Sequence, residues 1–123
     1  MNEIGGKGAV GAEQHKVSLT IVNNLFMIIF MIRTFADAQT ERFFTTGRSK
    51  HFPPDVLKRA GKRLTQLDAA VMLDDLRMPP SNHLEALSGD RAGQWSIRIN
   101  DQWRVCFRFE NGEAYDVEIT DYH

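Results

Sequence analysis

Arg104 and the closing run Asp121-Tyr122-His123 bring together a fixed cation, a carboxylate, a phenol and an imidazole. That set has the parts for metal-free attack on an RNA phosphodiester. Such a reaction needs a base for the ribose 2′-OH proton, a cation for charge on the phosphate, and an acid for the departing 5′ oxygen. Histidine titrates near neutrality, arginine presents a fork that matches phosphate, and tyrosine can stack on a base or hold a proton. A polar Asp-Tyr-His end is also what a solvated tail looks like, so residue types alone leave both readings open. Other chemistries lack their signatures. Of His15, His51, His83 and His123 only His51 has an acid four residues away, Asp55, and Pro53-Pro54 between them break any helix that would make a metal pair; Cys106 is the only cysteine. Gly89-Asp90-Arg91-Ala92-Gly93 lacks the Lys-Ser/Thr tail of a phosphate loop, and no Gly-x-Ser-x-Gly elbow exists. Nucleotide hydrolysis and serine-hydrolase chemistry are disfavoured.

The elements that must position these residues are strands. From Gln94 onward the apolar period is two: Trp95, Ile97 and Ile99; then Trp103, Val105, Phe107 and Phe109; then Tyr115, Val117 and Ile119. This predicts an antiparallel meander. A loop of Asn100-Asp101-Gln102 pairs Ile97 with Val105 and keeps the apolar face whole. A second loop, Glu110-Asn111-Gly112 with Gly112 left-handed, pairs Phe107 with Tyr115 and Val105 with Val117. On the opposite face this register sets Arg98 across from Arg104 and Arg104 across from Glu118. Tyr122 falls opposite Asn100, with His123 beside it. Two adjacent arginines repel, so the arrangement calls for Glu118 or an anionic ligand. Arg98 is then a neutraliser of Glu118 or a second phosphate contact.

Upstream, two helices are expected. The first covers roughly residues 38–46, with Asp37 as N-cap and Gly47 ending it. The second starts at Pro54, with Leu57, Ala60, Leu64, Leu67 and Val71 on one face and Lys58, Arg59, Lys62, Arg63 and Gln66 on the other. Pro79-Pro80 stops any continuation. Residues 26–35 read as a buried strand. Its apolar run, 25–32, is far short of the ~20 residues that span a bilayer. Residues 1–16 are glycine-rich and poor in large apolar groups, a disordered extension by composition. Ala36-Asp37-Ala38 mimics a signal cleavage site, but Arg33 intervenes and the basic start is feeble.

At 123 residues, the chain suits one domain. We expect that domain at residues 31–123, behind an extension of residues 1–30. A lone cysteine excludes an internally disulfide-stapled scaffold. The formal charge of −1 hides an uneven distribution. Residues 42–63 carry Arg42, Arg48, Lys50, Lys58, Arg59, Lys62 and Arg63 against Asp55 alone, whereas residues 110–121 carry acids and no Lys or Arg. The basic lobe fits RNA, an acidic partner or plain solvation.

The stretch 84–123, above all Gly89-Asp90-Arg91, Trp95-Ser96-Ile97-Arg98-Ile99-Asn100-Asp101-Gln102-Trp103-Arg104-Val105-Cys106-Phe107-Arg108-Phe109 and Asp121-Tyr122-His123, resembles the C-terminal half of HigB-type toxins. These lie within the wider RelE/ParE superfamily, and the similarity covers about residues 31–123. The resemblance implies an α+β fold, two helices packed on an antiparallel sheet in the order β-α-α-β-β-β. It implies a cytoplasmic, metal-free and cofactor-free endoribonuclease that cuts mRNA on the ribosome, neutralised by a helix-turn-helix antitoxin and independent of membranes. The catalytic residues carried over are Arg104, Asp121, Tyr122 and His123, with Arg91 and Arg98 as RNA contacts. Two positions depart from the family: Ser88 stands where lysine is common and Glu85 where a histidine sometimes is. His83 is close in sequence, either to compensate or as a surface histidine without a role. The alternative is a member that cuts nothing, either a gyrase-type poison or a degenerate toxin kept for antitoxin binding.

Overall fold

The computed structural model describes residues 19–22, 25–28 and 31–122. Strands β1 (Leu19–Val22) and β2 (Leu25–Ile28) form an antiparallel hairpin. The apolar run expected as one strand is therefore divided. Leu25–Ile28 pairs with β1, while Ile32 and Phe35 make parallel bridges to Ala114 and Val117 of the last strand. The predicted disorder of residues 1–16 lies outside the described residues.

Helix α1 (Ala38–Thr46) starts where a carboxylate can satisfy an orphan amide: Asp37 Oδ2 accepts the Thr40 N–H at 3.0 Å. It stops at Gly47, whose φ of 74° closes a bond from its N–H to the Phe43 carbonyl. Helix α2 (Pro54–Ala69) has proline in its first turn, where no N–H is needed. Its buried face is Val56, Ala60, Leu64 and Leu67. The expected stripe is adjusted at both ends: Leu57 is half-buried against the core with Val56 fully buried beside it, and Val71 lies beyond the helix, 43% exposed. The Asp75 carboxylate accepts the N–H groups of Val71 and Met72, capping a following 3-10 turn, Leu73–Arg77, and ending the stripe.

The main sheet runs β3 (Glu85–Ala86), β4 (Trp95–Arg98), β5 (Trp103–Glu110), β6 (Glu113–Asp121) in spatial order, with antiparallel neighbours. The buried α2 side chains join Ile97, Val105, Phe107 and Val117 in one core. This is the expected α+β arrangement, with β3 an addition. Thr40, fully buried, offers its hydroxyl oxygen to the Ile119 N–H at 3.0 Å and so anchors α1 to β6.

The first hairpin has the predicted register, with Ile97 opposite Val105 and Arg98 opposite Arg104. Asn100 holds the loop by accepting from the Gln102 and Trp103 amides. The second departs from expectation. Its turn is two residues, Asn111-Gly112 at φ 52° and 78°, between the paired Glu110 and Glu113. Such a turn alone would flip every later side chain of β6 to the wrong face. A bulge corrects this: Asp116, at φ 53°, adds a residue, and pairing resumes with Cys106 opposite Glu118. Faces are restored, but partners shift by two. Arg104 therefore lies opposite Thr120, not Glu118, and Val105 opposite Ile119, not Val117.

Candidate active site

Arg104 sits on the sheet face away from the helices, and three neighbours hold its guanidinium. Nε donates to Ser96 Oγ at 2.7 Å, Nη2 donates to the His83 carbonyl at 2.6 Å, and Glu85 Oε1 lies 3.6 Å from Nη2. Ser96 is on the neighbouring strand with the same parity, a diagonal position that the register itself indicates. His83 is itself left-handed, at φ 44°, just before β3, and this turns its carbonyl toward Arg104. With its side chain only 11% exposed, Arg104 is fixed before any ligand arrives. Among the described residues Nη1 has no hydrogen-bond partner, which leaves that edge of the fork for a phosphate oxygen.

The Tyr122 N–H donates to the Gln102 carbonyl at 2.8 Å, so the ladder continues one residue past β6. Tyr122 is therefore opposite Gln102, not Asn100. Alternation places it on the face of Arg104 and Thr120, while Asp121 takes the other face, opposite Trp103. There the exposed Asp121 carboxylate accepts from Gln102 Nε2 at 2.9 Å. The strand end is thus held from both sides of Gln102. His123 lies outside the described residues.

Charges on the Arg104 face are distributed differently from the sequence expectation. Glu118 is matched by Arg91 at 3.2 Å, not by Arg98, and Arg91 also donates to Gln94 Oε1 at 2.9 Å. Arg98 pairs with Asp101 in its own hairpin. Arg98, Arg104 and Tyr122 share the face, and the Arg91 head reaches it at Glu118. Glu85 and the His83 carbonyl escape strand-by-strand reading because they enter from the irregular segment before β3. Trp95, Trp103 and Phe109 pack against the core, and Phe52 meets Trp103 edge-on at 5.8 Å, so these rings are structural. Cys106 is completely buried on the Arg104 face. Burial pushes its thiol up, with the Thr120 hydrogen bond and the Arg91 charge pulling weakly the other way. An inert thiol results.

The chain is similar to known proteins. The family described as "RelE-like toxin of type II toxin-antitoxin system HigB" matches residues 33–123. A relative named Endoribonuclease HigB, from Proteus vulgaris, is 34% identical over 93 residues, covering 76% of this chain and 100% of the relative. Toxin HigB-1 from Vibrio cholerae is 36% identical over 90 residues, covering 72% of this chain and 95% of the relative. Among solved structures, the YoeB-YefM complex from Staphylococcus aureus aligns with a TM-score of 0.50 at 15% identity. That alignment covers 75% of this chain and 97% of the other and speaks to the fold.

Proposed function

Because the chain belongs to the HigB-like family of RelE-like toxins from type II toxin–antitoxin systems, we propose that its endoribonuclease activity is spent on mRNA held by the ribosome. The toxin is paired with an antitoxin, and the family reading makes that antitoxin a helix-turn-helix protein. The toxin domain is residues 31–123, with residues 1–30 as an extension, and the site of action is the cytoplasm.

The cut uses no metal. The ribose 2′ oxygen attacks the adjacent phosphorus, the 5′ oxygen leaves, and a 2′,3′-cyclic phosphate and a 5′ hydroxyl result. Arg104 holds the phosphate through the free edge of its guanidinium, where charge develops in the transition state. Tyr122 and His123 carry protons to and from the two oxygens, and Asp121 fixes the strand end that presents them. Arg91 and Arg98 steady the RNA on either side. The observation that carries this reading is the common face of Arg104 and Tyr122, with the guanidinium already held by Ser96 and the His83 carbonyl. Preorganisation of that kind favours a charged transition state over a solvated tail.

The test is the purified toxin with one mRNA, presented free or on translating ribosomes. Cleavage on ribosomes alone is expected; equal cleavage of free mRNA removes ribosome dependence. The Glu85 carboxylate beside Arg104 is the observation that favours a non-cutting member kept for antitoxin binding. Absence of cleavage in both settings would establish that alternative.

A further inference from the structure

We propose that the RNA strand leaves Arg104 across Arg98 and seats its backbone phosphates in a second, basic pocket between α2 and the β4–β5 hairpin. This rests on the nuclease reading and adds a substrate subsite to it. The pocket, about 640 Å³, is walled by Lys58, Arg59, Lys62, Arg63 and Arg98, with Asp55 as the acid among its lining residues. Asp101 adds one more carboxylate nearby, already matched to Arg98.

The wall is built rather than merely charged. β3 pairs only with Trp95 and Ser96, so the outer edge of β4 is open beyond them. Arg59 Nη1 donates to the Ile99 carbonyl at 3.0 Å, and Arg63 Nε donates to the Arg98 carbonyl at 2.8 Å. Each arginine thereby satisfies an edge carbonyl and holds its head in place. Burial lowers the Arg63 pKa first, with the charges of Arg59 and Arg98 adding to it. Like charges held this close leave a positive field that an anion relieves. Lys58 and Lys62, one helical turn apart and both exposed, are free to meet further phosphates.

Arg98 connects the pocket to the cutting site. It is the cross-strand partner of Arg104, and its own carbonyl forms part of the pocket wall through Arg63. Among the described residues no aromatic ring lines the pocket, and Ile99 is its apolar contribution. The chemistry recognised is a phosphodiester backbone without base selection.

The experiment uses the full chain and a fluorescent 12-nucleotide single-stranded RNA, 2′-O-methylated to prevent cleavage, titrated across salt concentrations. The Lys58→Glu/Lys62→Glu variant is expected to bind about tenfold more weakly or worse. Its log–log salt slope should be shallower by about 1.4, at roughly 0.7 for each phosphate no longer neutralised. Lys58→Arg/Lys62→Arg should retain binding, and an unchanged unfolding midpoint for both variants confirms a folded comparison. Unchanged affinity and slope in the charge-reversed variant overturns the proposal, as does a wild-type chain that fails to bind the RNA at low salt. Loss confined to vacant ribosomes or to the antitoxin, with oligonucleotide binding intact, assigns the pocket to those partners and also overturns it. Failure of the nuclease reading is separable, because it shows as absent mRNA cleavage by a wild-type chain that still binds the oligonucleotide.

Discussion

Glu85 Oε1 stands 3.6 Å from Arg104 Nη2, an acid facing the cation assigned to the phosphate. Glu85 is 55% exposed, so water screens the pair and its strength is about 0–1 kcal/mol. Glu85→Gln should therefore raise the mRNA cleavage rate modestly, by up to about fivefold, without loss of stability. Single-turnover cleavage on ribosomes checks this. A decrease would mean that the carboxylate itself takes part in the reaction.

Arg104→Gln removes the phosphate contact and leaves buried Ser96 without its donor. Cleavage should drop by about 10²–10³-fold, the usual effect of deleting a charge-stabilising donor. Stability should fall by about 1–3 kcal/mol in denaturant unfolding. Ser96→Ala keeps the cation but frees it. It should slow cleavage while leaving affinity for uncleavable RNA nearly intact, a split that separates positioning from binding.

Asp116 tests the bulge that sets the strand end. At φ 53° it occupies a conformation in which a β-branched side chain is strained. Asp116→Val should be about 1–3 kcal/mol less stable than Asp116→Gly, since both lose the Arg108 ion pair and only valine adds strain. Equal unfolding free energies would contradict the bulge geometry.

The Cys106 thiol gives a pH prediction. Burial raises it above its ordinary value of 9.0, so the unfolded chain loses this proton first. The stability it contributes is complete below that ordinary value and declines as pH rises toward the folded value, by at most about 1.4 kcal/mol per pH unit. The unfolding free energy of the wild type minus that of Cys106→Ala should be flat below the ordinary thiol value and fall as pH rises above it. A flat difference would show an accessible, unperturbed thiol, as would rapid labelling of the native chain by iodoacetamide.

Local signals in the sequence were sufficient where one residue decides one feature. Asp37 and Gly47 bound α1, Pro54 opens α2, and alternation in residues 95–109 sets the first hairpin. The second hairpin shows the limit. Asn111-Gly112 favours a two-residue turn, yet the apolar pattern demanded unchanged faces, and Asp116 reconciles the two by a bulge. Arg104 and Tyr122 therefore share one face as the alternation predicts, but Arg104 faces Thr120 instead of Glu118 and Tyr122 faces Gln102 instead of Asn100. What binds Arg104 from outside the strands, the His83 carbonyl and Glu85, depends on the path of residues 70–88, where no period exists to read. The same holds for Arg59 and Arg63, whose helix face fits RNA, an acidic partner or solvation in sequence, and which reach the open edge of β4.

The most direct measurement compares induction of the full chain with a version ending at Asp121, followed by mapping of new 5′ ends on translated mRNA. The full chain should arrest growth and create 5′-hydroxyl ends inside coding sequences, and removal of Tyr122 and His123 should abolish both. Growth arrest without new ends in coding sequence, or undiminished cleavage by the shortened chain, would contradict the account.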